Sequence, residues 1–114
     1  MPRIDLSTVP ERRGSGYPRP FDAPCAQRIR QRVGDAGGLR DFGVNLMRVP
    51  PGGWSSQRHW HSDEDEFVYV LEGELVMIED GGETVLRGVS ERLGQRPSPV
   101  DILPRLKTGD SYRV

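Results

Sequence analysis

An all-β fold is what this sequence predicts, and three observations carry the expectation. Residues 66–72 and 74–79 are apolar-rich runs of strand length that meet at Gly73 and are followed by Asp80-Gly81-Gly82. Glycine accepts the positive φ of a tight turn, so those three residues read as a hairpin connection. No stretch keeps apolar residues at helical spacing over several turns. With 14 Gly and 10 Pro among 114 residues there is ample material for short turns. Antiparallel strands joined in this way build a barrel or a sandwich.

Each element follows in order. Residues 1–25 are rich in Pro, Arg and Gly (Pro10, Arg12, Arg13, Gly14, Pro18, Pro20, Pro24), and an extended arm with little regular structure is expected. Residues 26–33 alternate polar and apolar, which would place Arg28, Arg30 and Arg32 on one face of a strand. That face could meet an anionic ligand, but a solvated edge strand is the plainer expectation. Residues 35–38 read as a turn, and residues 39–49 as a strand with Phe42, Val44 and Leu46 on one side, stopped by Pro50-Pro51-Gly52-Gly53. Trp54 to His61 is a polar strand or strand-like loop, and residues 62–65 form a turn. The strand at 66–72 is apolar on both faces, with Val68 and Val70 on one and Phe67, Tyr69 and Leu71 on the other. A strand with one face in water would show apolar residues on one side only, so both sides need cover. Residues 83–87 begin the returning strand.

Composition narrows the function. A chain of 114 residues fills one core. Sixteen basic and 17 acidic residues nearly cancel, which gives no global reason to expect nucleic acid or an anionic membrane as partner. No segment is apolar for long enough to span a bilayer, and the first residues lack the apolar run of a signal peptide. Cys25 is the single cysteine, so an internal disulfide is impossible and a reducing cytoplasm is the expected location. With Pro24 and Ala26 as neighbours and no base beside it, Cys25 reads as a structural residue.

The chemistry lies between residues 53 and 73. His59 and His61 are two apart, a spacing that puts both imidazoles on one face of a strand, where both can reach one ion. Glu66 is an odd five residues beyond His61, but the polar turn at 62–65 lets it start a neighbouring strand with its carboxylate turned back. Two imidazoles and one carboxylate leave coordination positions open and suit iron, manganese, nickel or zinc as the divalent ion. An isolated His-x-His beside acidic residues is most often a solvated loop. Here the wider pattern decides: Gly53, five residues, His59, one residue, His61, four residues, Glu66, six residues, Gly73. From average residue usage, a chance match in a chain this long is on the order of a few in 100,000.

This pattern resembles the first metal motif of the cupin superfamily, in particular its small single-domain bacterial members, over residues 39–87. The resemblance implies a double-stranded β-helix, a small barrel with a metal near one mouth, held by His59, His61 and Glu66. Gln57 shares strand parity with the histidines, and with Val68 and Val70 it is a candidate for the substrate pocket. Arg58 and Trp60 should point away, Trp60 as packing. Cupins commonly pair, and together with the two-faced apolar strand this implies a homodimer.

The tail departs from the family. The second cupin motif supplies a further histidine, and no histidine follows His61. Residues 88–114 contain one aromatic, Tyr112, and no sustained alternation, so the barrel is expected to be incomplete after residue 87. Two readings account for this: a shift of reading frame in the region of residues 93–100, or a natural short chain whose tail folds over the open side. The expected function is therefore a metal-dependent cupin acting on a small polar molecule by oxygenase, isomerase or lyase chemistry. The alternatives are a non-catalytic metal or small-ligand sensing domain, and a truncated, inactive cupin. Asp63, Glu64 and Asp65 lack calcium-loop spacing, and residues 53–57 lack the second glycine of a nucleophile elbow.

Overall fold

Residues 3–88 are described by the computed structural model of the chain, which divides into two units, Met1–Ser56 and Gln57–Val114. Among the described residues the chain is mostly strands with few helices, and no helix is long and apolar enough to cross a membrane.

The first unit is built on three short strands, β1 (Glu11–Arg13), β2 (Ile29–Gln31) and β3 (Leu46–Arg48), antiparallel in the order β1-β2-β3. Arg13, Ile29 and Arg48 stand in one cross-strand row, and Arg12, Arg30 and Met47 in the next. Two expectations change here. The stretch expected as an arm without regular structure contributes β1, because its main chain finds a ladder partner 18 residues away (Arg12 opposite Arg30), which local composition cannot reveal. The segment expected as a solvated edge strand becomes the centre of the sheet, with β1 on one side and β3 on the other. The buried Gln31 amide fastens the N-terminal segment further, donating to the carbonyl oxygens of Leu6 at 2.8 Å and Val9 at 2.9 Å.

The expected turn after β2 is a single helical turn, α1 (Val33–Ala36), closed where the Gly37 N–H donates to the Val33 carbonyl at 3.0 Å. Gly34 approaches the backbone so closely that an added Cβ would lie 2.7 Å from the Val44 nitrogen. The strand expected over residues 39–49 shortens to β3, and Phe42 and Val44 are exposed. Its alternation is present in the sequence, but only residues 46–48 meet a partner strand. Cys25 is fully buried, and that burial pushes its thiol up against a smaller opposing pull from the Arg28 charge. Both facts fit a structural cysteine.

The second unit contains a hairpin of β4 (Glu74–Glu79) and β5 (Gly82–Arg87), in register from Glu74 opposite Arg87 to Glu79 opposite Gly82. The connecting residues are Asp80 and Gly81, and it is Gly82, with φ of 130°, that takes the conformation other residues avoid. One face of the hairpin carries Met77 and Leu86, buried, with Leu75 packed on them; the other carries the exposed cross-strand pair Val76 and Val85.

Residues 66–72 were expected as a full strand, and the structure corrects this: only Glu66 joins a bridge, and residues 67–72 make no ladder. Their parity is nonetheless the expected one. Val68 and Val70 pack on the Met77–Leu86 cluster, while Phe67, Tyr69 and Leu71 are exposed. Side-chain alternation follows from an extended backbone, whereas a ladder also needs a second chain segment to pair with. Beyond the hairpin the Gly88 N–H donates to the Gly73 carbonyl at 2.8 Å, and a Cβ on Gly88 would fall within 2.8 Å of three Glu72 backbone atoms. Only glycine fits there. The atypical tail expected over residues 88–114 lies, Gly88 apart, outside the described residues.

Candidate metal centre

The polar segment before β4 brings the three residues singled out by spacing to one place. His59 and Glu66 each sit in an isolated β-bridge, and the bend between them begins at Ser62-Asp63. One nitrogen from each histidine and one carboxylate oxygen of Glu66 all lie within 4.8 Å of one another, and all three side chains are half-buried. The two Nε2 atoms are 3.1 Å apart, and His61 Nε2 is 3.0 Å from Glu66 Oε1. Donor atoms held at right angles on metal bonds of about 2.1 Å are separated by about 3 Å, so both edges fit a single ion.

The far sides of the rings fix which nitrogens are available. His59 Nδ1 lies 2.7 Å from the Gln57 carbonyl oxygen, which can only accept, so Nδ1 carries the hydrogen and Nε2 keeps its lone pair. His61 Nδ1 faces Glu64 Oε2 at 3.4 Å, which favours the same tautomer. Metal-ligating histidines are held in this way, with the outer N–H on a carbonyl or a carboxylate. Two lone pairs and a carboxylate oxygen are then turned towards one another. A proton can relieve one of these contacts, whereas a divalent cation relieves all of them.

A cupin domain family model matches residues 45–88, which hold all of these groups. The whole chain is also similar to the crystal structure of a sugar phosphate isomerase from a cupin superfamily from Silicibacter pomeroyi, with 38% identity and a TM-score of 0.82 over 98% of this chain. The family match and this likeness together support membership of the cupin superfamily. It spans 65% of the length of that isomerase. No curated protein matches it.

Gln57 is half-buried, and its carbonyl faces His59 Nδ1, a contact that side-chain parity could not suggest. Val68 and Val70 are turned into the apolar cluster with Met77 and Leu86. Arg58 pairs with Asp80 and is exposed, as parity required. Trp60 also points away, but at 61% exposure it is not the packing residue expected among the described residues. Sequence reasoning missed Glu64, which was read as part of a solvated turn. The available signal was its position three residues after His61, a distance at which a bend can fold a carboxylate back.

Proposed function

We propose that this cupin holds one divalent transition metal through His59, His61 and Glu66 and isomerises a sugar phosphate or a similar small polar molecule. The observation that carries the reading is the convergence of two Nε2 atoms and a carboxylate oxygen, with each outer Nδ1 held by the Gln57 carbonyl or facing Glu64. Iron, manganese, nickel and zinc all suit that donor set. When bound, the metal supplies Lewis acidity at open coordination positions. The Gln57 carbonyl and Glu64 keep both rings presented edge-on, and the half-buried setting of the three side chains limits competing water. Isomerase chemistry rests on the 38% identity to the Silicibacter pomeroyi protein. The same likeness supports a double-stranded β-helix, with residues 26–87 supplying the barrel strands.

The test is turnover. Chain loaded with each of the four metals in turn is incubated with a panel of aldose and ketose phosphates, and interconversion is followed by proton NMR. A new sugar phosphate that appears with metal and stops on adding chelator is expected. If no metal-loaded form turns over any member of the panel, the isomerase reading fails and a metal-binding module without catalysis takes its place.

A homodimer is part of the same proposal. Phe67, Tyr69 and Leu71 expose their side chains on one side of residues 66–72, and Val76 and Val85 are exposed as a pair on the hairpin. Exposed apolar area on this scale favours association. Light scattering at low micromolar concentration should give twice the chain mass of 12.8 kDa. A stable monomer would show that the apolar side chains need no partner subunit.

A further inference from the structure

The β1–β2 ladder of the first unit assembles a cationic face that the metal site does not use. Arg12 and Arg30 are directly opposite, so they share a face, and the ladder continues where the Gly14 N–H donates to the Arg28 carbonyl at 2.8 Å. Arg28 and Arg32 have the same parity as Arg30, so four guanidinium-bearing positions fall on this side of β1 and β2. Like charges directly opposite across a sheet are destabilising unless something sits between them.

The partners of these arginines are few. Arg32 pairs with Asp35 at 3.4 Å. Arg28 is more than nine-tenths buried, yet its acceptors are the carbonyl oxygens of Gly14, at 3.0 Å, and Ser55, both neutral. Arg30 is half-buried, and no hydrogen bond or ion pair joins Arg30 or Arg12 to another side chain among the described residues. Burial lowers the Arg30 guanidinium from its usual range, and Arg32, Arg28 and Arg12 push it the same way against Asp35 alone. Leaving charges half-buried and unpaired is costly. An oxyanion with several acceptor atoms would satisfy them together, and guanidinium forks match phosphate in geometry.

We propose that the face of β1 and β2 carrying Arg12 and Arg30, with the charge of Arg28 beside them, binds a phosphate group, that of a phosphorylated small molecule. The inference rests on the first unit alone and stands whether or not the chain binds metal. Arg28, buried and already bonded to two carbonyl oxygens, adds its positive charge beside Arg30 instead of a direct contact.

Calorimetric titration of the full chain with inorganic phosphate, against sodium chloride at equal ionic strength, tests this. Saturable binding is expected, weakened about tenfold or more in Arg30→Gln, since a hydrogen bond to a charged group is worth about that factor. Arg12→Gln should weaken it similarly, and because Arg12 is exposed this variant decides the matter if Arg30→Gln does not fold. Arg40→Gln, an exposed arginine in the segment before β3, and the His59→Ala/His61→Ala variant should bind phosphate as the parent does. A hexose phosphate binding more tightly than inorganic phosphate, with the unphosphorylated hexose inert, would identify the ligand as a phosphorylated small molecule. No binding beyond the chloride control, an equal loss in Arg40→Gln, or loss in the double-histidine variant would overturn the proposal.

Discussion

Replacing His59 and His61 together with alanine is expected to take bound metal from one ion per chain to none. Both imidazoles offer Nε2, and the two atoms lie 3.1 Å apart with Glu66 Oε1 3.0 Å from the second. Removing both leaves one half-exposed carboxylate, and a single carboxylate retains a transition metal no better than other surface acids do. Imidazole nitrogen is also the donor that suits iron, nickel and zinc. Elemental analysis after dialysis, with each metal supplied separately, is the measurement. Equal metal in the variant and the parent would place the ion elsewhere.

Met77→Ala should cost about 2–5 kcal/mol of folding stability, read as a lower midpoint in chemical denaturation. Met77 is 2% exposed and is packed with Leu86, Val68, Val70 and Leu75. Truncation leaves a cavity beneath residues that hold Val68 and Val70 in place. The control is Val76→Ala, one residue earlier and on the opposite face of the hairpin, 40% exposed. A surface change of that kind usually stays within about 0.5 kcal/mol. Equal losses in the two variants would mean that the hairpin does not bury the face assigned to it. A loss in Val76→Ala that appears only when the chain is concentrated would instead mark the dimer interface.

The sequence by itself determined the grouping of His59, His61 and Glu66 and the hairpin. The distances between Gly53, His59, His61, Glu66 and Gly73 are local quantities, and the bend they require is written in Ser62-Asp63. Local rules also determined the inward parity of Val68 and Val70, since an extended backbone alternates its side chains wherever it runs. What required tertiary structure was pairing. That β1 exists, that β2 is central and that residues 67–72 make no ladder all depend on which segments meet, and main-chain hydrogen bonds carry little sequence signature. The same holds at the two candidate sites. Only the folded chain shows the Gln57 carbonyl and Glu64 against the outer ring nitrogens, and only the β1–β2 register sets Arg12 opposite Arg30. Spacing can nominate residues that lie close along the chain, but the groups that orient them or share their charge come from distant segments or from the backbone.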